Sequence, residues 1–594
     1  MAIFLTDDSV LAYSSGMPKR TGTAHVVTTT RQYKGRVYRT HLLRRSYREG
    51  GTVKNETLGN LSHLPDDLVE IVRASLRGTT FVPLNQAFEV IRSLSQGAVE
   101  AVALTMQRLG FASLIASKPC RERDIVLAMV AARIVAPHTK LATTRWWHTT
   151  TLAEDFDVAD ANEDELYAAM DWLLQRQSQI EKKLASKHLQ QGGLVLYDLS
   201  SSYFEGSTCP LAKRGYNRDG KRGYLQVNYG LLTDPRGCPV AVSVHDGNTS
   251  DCETLLPQVQ RLRQDFGIEQ MVIVGDRGMI SQKSIEEIRQ ADGIDWITAL
   301  KSGAIRMLID DKHVQPDLFD ERNLFEFTHP DFPGERLIAC RNPELAKLRA
   351  HKRQDMLQAT EKDLEKIITR VKAGRLSGQD DIGVQVGKII NKYKMAKHFD
   401  LDIKNDALSF QRKSDSIAAE TALDGIYIIR TSVSTDRMNS ADCVRSYKLL
   451  VHVERAFRSL KTIDLKIRPI HHRLADRVRA HIFLCMLAYY VEWHMREAWR
   501  ELMFADPDQD AKKTRDPVAS AKRSKAAEIK VTSRQLHDGT PTHSFSTLLD
   551  ELGTIVRNTC RTPNAAPDAP TFDVTTISNP KQQRAFELIK SIQA

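Results

Sequence analysis

The stretch "GGLVLYDLSSSYFEG", residues 192–206, decides how the fold is interpreted. Its run of apolar β-forming residues predicts a strand over 193–198, which stops at Asp198 where polar residues follow. A second stretch, "EQMVIVGDRGMISQKSI" at 269–285, repeats this pattern and ends its apolar run just before Asp276. In open sheets with helical connections, functional groups collect where strands end. The two aspartates are therefore candidates for one site.

The segments around these two strands have the pattern of an α/β fold. Strands are predicted at 193–198, 224–233, 239–245, 271–275 and 295–300, and helices at 251–265 and 282–291. Ser250 and Glu253 form a capping-box pattern at the start of the first helix, and Ser281 can cap the second. Three consecutive strands followed by alternating helix and strand predict a mixed sheet whose first three strands meander.

A third stretch, "RSYKLLVHVERAFRSLKTIDLKIRP" at 445–469, predicts a helix within a longer helical region at about 440–461. At helical spacing one face would carry Tyr447, Leu450, Glu454, Arg458 and Lys461. A carboxylate flanked by cations and a phenol suits a metal ion held against a phosphate backbone. The alternative is an exposed helix with a Glu454–Arg458 pair worth about 0.2–0.5 kcal/mol.

Taken together, Asp198, Asp276 and Glu454 predict a cation site. Hard divalent ions such as Mg²⁺ take oxygen ligands and often only two or three protein carboxylates. Two such ions about 3.5–4 Å apart can activate a nucleophile and stabilise the leaving oxygen of a phosphoryl transfer. Three crowded carboxylates without a cation would repel one another and raise at least one pKa. Candidate phosphate contacts nearby are Arg277, Arg455, Arg458 and Lys461.

Composition narrows the class of protein only modestly. The chain has 594 residues and a net charge of +10, which leans weakly towards polyanions such as nucleic acid. Its eight cysteines include no CxxC motif and no Cys/His spacing typical of zinc, so we expect neither a disulfide framework nor a structural zinc. The N-terminus lacks a signal-peptide pattern, and the longest apolar run, 482–491, is too short to span a bilayer. We expect a soluble, cytoplasmic protein.

The N-terminal region is strongly basic. Nine Lys or Arg residues and no Asp or Glu lie between Lys19 and Arg48, interleaved with aromatic residues. The Lys34-Gly35 step between two alternating runs predicts a β-hairpin. One interpretation is a solvated sheet face. The other is a DNA-contacting sheet or arm, because so one-sided a charge run is costly unless phosphates neutralise it. The candidate DNA contacts there are Arg36, Arg44 and Arg45.

The remaining segments complete a six-part division of the chain. Helical periodicity dominates 97–190, a charged helix is predicted at about 343–375, an extended segment at 425–432 and an apolar helix at about 476–503. The predicted parts are 1–96, a basic DNA-binding segment; 97–190, a helical domain; 191–300, the first part of the core; 301–440, an insertion domain; 441–503, the second part of the core; and 504–594, a linker and C-terminal helical region.

The order strand–Asp198, strand–Asp276, helix–Glu454 resembles the ribonuclease-H-like catalytic core of bacterial insertion-sequence DDE transposases. It most resembles the IS-four superfamily, in which an insertion domain separates the second Asp from the Glu. Here Glu454 follows Asp276 by 178 positions, which leaves room for the α+β insertion at 301–440. The resemblance also extends to "GNTSD" at 247–251, "GDRG" at 275–278 and "YREGGTVKNETLGNL" at 47–61.

That superfamily carries a Tyr, Arg, Glu, Lys signature, which Tyr447, Glu454 and Lys461 match in spacing, whereas Leu450 stands at the Arg position. The resemblance implies a transposase that binds the terminal inverted repeats of its element and cuts and joins DNA with Mg²⁺ or Mn²⁺, two ions per site. Tyr447 and Lys461 would hold the scissile strand, and the protein would act as a homodimer on DNA. Two alternatives remain, a ribonuclease-H-like nuclease without strand transfer and a catalytically inactive DNA-binding derivative, for which Leu450 is the hint.

Overall fold

The computed structural model describes residues 22–81, 87–221, 223–509 and 515–593. These described residues divide into two compact units, one formed by those within 1–92 and 558–574 and the other by those within 93–557 and 575–594. The first two cations of the basic N-terminal run, Lys19 and Arg20, lie outside the described residues. The six-part division proposed from the sequence stays a prediction.

The smaller unit is built on an antiparallel sheet in the order β1-β2-β3. Lys34 and Gly35 connect the first two strands, and both have positive φ, 48° and 75°, which suits the tight turn of a right-twisted hairpin. The predicted hairpin is confirmed. The elements of this region are β1 (Ala24–Tyr33), β2 (Arg36–Glu49), β3 (Thr52–Asn60), α1 (Asp66–Leu76) and β4 (Glu89–Ser95).

The segment after β4 is helical, as predicted. Apolar residues recur at helical spacing here, and most of those on α4 and α7 are buried. Asn162 begins α7 with a capping box, since its side chain accepts from Glu165 N–H at 3.1 Å. The helices are α2 (Gly97–Arg108), α3 (Phe111–Ile115), α4 (Arg121–Val135), α5 (Lys140–Trp146), α6 (Leu152–Asp155), α7 (Glu163–Gln175) and α8 (Gln177–His188).

A large mixed sheet forms the centre of the larger unit. Its first three strands meander, as the sequence predicts. Two further strands join in parallel and give the spatial order β7-β6-β5-β8-β9. Ser281 caps α10 by accepting from Ser284 N–H at 3.2 Å. The elements are β5 (Gly193–Tyr203), β6 (Gln226–Thr233), β7 (Pro239–Asp246), α9 (Asp251–Gln264), β8 (Met271–Val274), α10 (Gln282–Ile288) and β9 (Ile294–Ala299).

The segment predicted as an insertion contributes three strands to the same sheet. They extend it beyond β9 to the order β10-β11-β14-β9-β8-β5-β6-β7. The remainder pairs two helices with a hairpin around small apolar clusters of its own. The elements are α11 (Ser302–Asp310), β10 (Leu324–Phe327), β11 (Arg336–Arg341), α12 (Pro343–Lys372), α13 (Gln379–Tyr393), β12 (Phe399–Ile403), β13 (Leu408–Arg412), α14 (Ser414–Thr421) and β14 (Ile426–Thr431).

The helical region predicted at about 440–461 is confirmed, but it is not one continuous helix. The region forms two helices separated at Leu449 and then a π-helical turn, Ser459–Ile463, whose wider backbone rotates the residues that follow. The C-terminal region, predicted to be helical, also contains two strands. The elements are α15 (Ser440–Lys448), α16 (Leu450–Arg458), α17 (Ala475–Ala498), α18 (Lys525–Ser533), α19 (Phe545–Leu552), β15 (Val556–Arg561), β16 (Phe572–Thr575) and α20 (Pro580–Lys590).

Helix α17 is the central packing element of the larger unit. It is buried on almost every side, and it packs against α4, α7 and β7, so the apolar run at 482–491 belongs to the core.

Among the described residues no single helix is long and apolar enough to cross a membrane. One bent pair, Arg121–Val135 with Lys140–Thr149, passes that test only when taken together, and its helices meet at 87°.

Candidate active site

The register of two parallel strands brings the first two acids to one level of the sheet. Leu196 in β5 pairs with Val274 in β8, and two residues further along each chain lie Asp198 and Asp276. Adjacent strands are about 4.8 Å apart, so the two carboxylates project from neighbouring positions. The prediction that Asp198 ends its strand is wrong, because β5 continues to Tyr203 and only its neighbour β8 stops. Asp198 therefore lies on β5 just beyond the last residue that pairs with β8.

The carboxyl group of Asp198 is strongly perturbed by its surroundings. Burial, together with the negative charges of Asp276 and Glu454, raises its pKa to about 7. Two features oppose this shift: Leu199 N–H donates to Asp198 Oδ1 at 2.8 Å, and the positive charge of Arg218 lowers the pKa. Asp276 and Glu454 therefore both lie close enough to Asp198 to affect its pKa.

Asp276 is held by the turn that follows β8. Its Oδ1 accepts from Gly278 N–H at 2.9 Å and from Met279 N–H at 2.8 Å. A Cβ at Gly278 would lie 3.3 Å from Oδ1 and 3.7 Å from a carboxylate oxygen of Asp251, so the turn packs closely around the acid. Among the residues that the structure describes, the second oxygen of Asp276 has no backbone partner, which leaves it available to a ligand.

Glu454 comes to these strands on α16, which packs against β5. It is exposed, whereas Val453 and Phe457 on the same helix are buried against the core. Burial and the negative charges of the three acids together raise the pKa of the half-buried Tyr447 phenol to about 12, and the positive charge of Arg277 opposes this shift. Among the described residues the three carboxylates do not close to within 4.8 Å of one another. They form an open, electrostatically coupled group.

The predicted phosphate contacts divide into exposed and buried cations. Arg277, Arg455 and Arg458 are exposed beside the acids. Lys461 is buried instead: it lies in the π-helical turn, and its Nζ donates to Asp219 Oδ1 at 3.0 Å. Arg468 pairs with the same carboxylate. Lys461 therefore does not share the exposed face of Glu454, because the helix break and the wider turn redirect it.

Leu450, which stands at the signature Arg position, is 9% exposed and belongs to the main hydrophobic core. This position therefore presents no polar group to a ligand. The exposed cation Arg277 instead lies at a cavity of about 200 Å³ beside the site, which Arg349, Tyr427 and Tyr447 also line. Cations and phenols thus face one space next to the acids.

Two residues at the site were not selected from the sequence. Arg218 lies near Asp198, as its effect on that pKa shows, and forms an ion pair with Asp251. Asp251 begins α9, and its carboxylate lies close to the turn of Asp276. The sequence signal for Asp251 is the motif "GNTSD", where an acid at the start of a helix also has an ordinary structural explanation. A residue such as Arg218, between two strands, carries no motif at all.

The basic residues of β2 do not share one face. Arg36 is exposed, whereas Arg44 and Arg45 are half-buried. Because side chains alternate along a strand, Arg36 and Arg44 project from one side of the sheet and Arg45 from the other. Arg45 pairs in register with Glu56 of β3, which gives that side a nearby negative charge.

A mixed sheet in the order β7-β6-β5-β8-β9, with one acid on its first strand in chain order, one just after its fourth strand and one on a helix returning to the sheet, is consistent with a ribonuclease-H-like core. The chain belongs to the transposase DDE-domain family, whose model matches residues 193–491. Residues 26–80 match the N-terminal domain of IS1634 family transposases. The protein is thus an insertion-sequence transposase of the DDE type, as the sequence resemblance implied.

Two further comparisons add little. No curated protein matches the chain. Among solved structures, a piggyBac transposase synaptic complex with hairpin DNA is similar at 9% identity and a TM-score of 0.31, with 76% of this chain and 77% of that chain covered.

Proposed function

We propose that this transposase binds the terminal inverted repeats of its own element and cuts and joins DNA at a site formed by Asp198, Asp276 and Glu454. The observation that carries the proposal is the parallel register of β5 and β8, which sets the two aspartates level beside the helix of Glu454. The coupling of all three charges at Asp198 supports the same assignment.

The donor set fits hard divalent cations, because all three side chains offer carboxylate oxygens and no nitrogen or sulfur. Asp198, Asp276 and Glu454 would hold Mg²⁺ or Mn²⁺, two ions per site. When bound, these ions would supply an activated water and a stabilised leaving oxygen for phosphodiester cleavage and transfer. The three carboxylates would hold the ions, and Asp276 is already oriented by two backbone N–H groups.

The exposed cations would orient the DNA at this site. Arg277, Arg455 and Arg458 are free of burial and can donate charge-assisted hydrogen bonds to phosphate oxygens. The Tyr447 phenol, held near the acids by burial, would position the scissile strand. Lys461 would take part only after leaving Asp219, so we expect its effect on cleavage to be smaller than that of Arg277.

The experiment that tests the site uses a supercoiled plasmid carrying the element ends and a precleaved 3′-hydroxyl end. Asp198→Asn keeps the size of the side chain and removes an anionic ligand, so we expect loss of both nicking and joining with end binding retained. Asp292→Asn, at an exposed turn position before β9, is the matched control and should act like the unaltered protein. Loss of end binding with normal cleavage in Asp198→Asn would refute the assigned role.

The same assay separates the two alternatives. A nuclease without strand transfer would nick the plasmid in Mg²⁺ but give no joined product from the precleaved end. An inactive DNA-binding derivative would nick no plasmid in either Mg²⁺ or Mn²⁺. Either outcome with the unaltered chain would replace the proposal of a joining enzyme.

We also propose that the β-sheet of the N-terminal region contacts the element ends through Arg36, Arg44 and Arg45. Each lost phosphate contact should lower the slope of log affinity against log salt by about 0.9. Arg36 and Arg44 share a face and each would contribute one phosphate contact, so a double Arg36→Ala, Arg44→Ala variant should lose nearly twice as much slope as Arg45→Ala. An unchanged slope in the double variant would show that this face does not bind DNA.

The assembly and location of the protein complete the proposal. We expect a homodimer on paired ends, without membrane association, in the cytoplasm with the nucleoid. The mass of the complex formed with end DNA measures the first expectation, since a single protein copy per complex would contradict it. Fluorescent fusion protein spread evenly away from the nucleoid would contradict the second.

A further inference from the structure

A group of two histidines and one cysteine lies apart from the carboxylates. His188 is the last residue of α8, Cys238 comes immediately before β7, and His494 lies near the end of α17. Cys238 Sγ is 3.9 Å from His188 Nε2 and 4.0 Å from His494 Nε2. One ligand atom from each residue lies within 4.8 Å of the others, and among the described residues no other His, Cys, Asp or Glu set meets this spacing.

The turn before β7 holds the cysteine in place. Asp234 is 2% exposed, and its Oδ1 accepts from Cys238 N–H at 2.9 Å and from Arg236 N–H at 2.8 Å. Gly237 has φ +87°, a conformation that L side chains rarely adopt, so the tight turn needs glycine there. The thiol is therefore presented to the two imidazoles by a fixed backbone, next to a buried negative charge.

The protonation of the group suits metal binding. Burial lowers the pKa of His188, and lowers that of His494 to about 3, so both rings are neutral near pH 7 and can act as ligands. Burial raises the pKa of the Cys238 thiol, so the thiol keeps its proton until a cation replaces it. Cys238 is buried, whereas His188 and His494 are half-buried and keep some exposure to solvent.

We propose that His188, Cys238 and His494 form a transition-metal site of the Zn²⁺ class. A tetrahedral zinc with Zn–S of about 2.3 Å and Zn–N of about 2.0–2.1 Å places sulfur and nitrogen about 3.6 Å apart. The observed separations of 3.9 and 4.0 Å need to shrink by less than half an ångström. Binding would release the thiol proton to solvent, with water as the fourth ligand. His188 would give up its 3.1 Å hydrogen bond to the Tyr490 hydroxyl.

This site goes beyond the proposed function and does not rest on it. Soft thiolate and imidazole ligands select zinc-like ions, whereas the three carboxylates suit Mg²⁺. The turn is nonetheless close to the catalytic helix: a Cβ on Gly237 would lie 2.7 Å from Cβ of His452, two residues before Glu454 on α16. An ion at Cys238 would therefore stiffen a turn that contacts the helix carrying the third acid.

Titration of chelator-treated full-length protein with Co²⁺ tests the proposal. Cobalt reports a thiolate ligand by its charge-transfer absorption, and we expect one equivalent per chain with this band, displaced by Zn²⁺ but not by excess Mg²⁺. Cys238→Ser should abolish the band. His494→Gln should weaken Co²⁺ binding by at least about tenfold. Cys340→Ser, which alters another buried cysteine, should leave binding unchanged.

Two results would overturn the site. One is a titration of the unaltered protein without a charge-transfer band, and the other is an equal band in Cys238→Ser. Circular dichroism checks that each variant is folded. If Cys238→Ser fails to fold, His188→Gln and His494→Gln decide the question, because both positions are partly exposed. Unchanged Co²⁺ affinity in these two variants would exclude the histidines as ligands.

Discussion

Lys140 is a buried cation whose removal should stabilise the protein at low pH. It begins α5, is 5% exposed and forms no hydrogen bond or ion pair among the described residues. Burial and the positive charge of Arg133 together lower its pKa from 10.5 to about 7. His472, His481 and Cys485 also lie around it, and no carboxylate contributes to the shift. Burying the charged Lys140 ammonium group therefore reduces the free energy of unfolding.

The size and sign of the effect follow from proton linkage. A shift of about 3.5 pH units at about 1.4 kcal/mol per unit corresponds to about 5 kcal/mol. Below pH 7 both folded and unfolded chains are protonated at Lys140, so the full cost is present. Between pH 7 and 10.5 the unfolded state binds the extra proton, so this residue's contribution to stability rises with pH. Above 10.5 the cost is gone.

We expect Lys140→Met to raise the free energy of unfolding by about 3–5 kcal/mol at pH 6, and the gain to vanish near pH 10.5. Urea unfolding followed by tryptophan fluorescence, with equal m-values required of both proteins, measures the difference. Lys182→Met, at an exposed position of α8, should show no such pH-dependent gain. A Lys140→Met variant that is less stable at pH 6, or whose gain is the same at pH 6 and pH 10, would refute the argument.

Three further substitutions test a close packing contact, a buried ion pair and a helix cap. Gly230→Ala should cost about 1–3 kcal/mol in urea unfolding, because its Cβ would lie 2.1 Å from the Tyr197 hydroxyl; an unchanged midpoint would contradict that contact. Glu335→Ala leaves the buried Arg430, now paired at 2.5 Å, without its carboxylate, so we expect a loss of about 3–5 kcal/mol, and a loss under 1 would contradict it. Asn162→Ala removes the cap of α7 and should cost about 1 kcal/mol, visible as faster hydrogen exchange in its first turn.

The sequence predicted the central sheet because its strands keep a period of two and its turns carry strong signals. It missed the continuation of β5 past Asp198, where Ser200, Ser201 and Ser202 resemble a turn. In the structure all three serines are buried. Their hydroxyls find partners in the fold: Ser202 Oγ lies 2.9 Å from the Tyr229 hydroxyl, and Ser201 Oγ accepts from Arg218 N–H. These partners come from distant segments of the chain, so the local composition around the serines predicts a loop instead of a strand.

The acids of the site were predictable, while their surroundings were not. Each acid follows or interrupts an apolar pattern that is visible locally. The partner of Lys461 is Asp219, 242 positions away, and nothing in the local pattern indicates it. The cluster of His188, Cys238 and His494 likewise joins three distant segments of the chain, with no short spacing between its residues. The search for closely spaced Cys/His motifs therefore predicted no zinc site and could not detect this cluster.

The long separation of Asp276 and Glu454 raises the question of how the chain returns to the same site. The sheet answers it. After its excursion the chain re-enters through β14, which pairs antiparallel with β9, Ile429 opposite Ala299. Helices α15 and α16 follow directly and bring Glu454 back to β5. Because the returning strand is held by backbone hydrogen bonds, the length of the inserted segment does not set the position of the glutamate. Inserted residues between β11 and β14 should therefore be tolerated far better than any change in the register of β14.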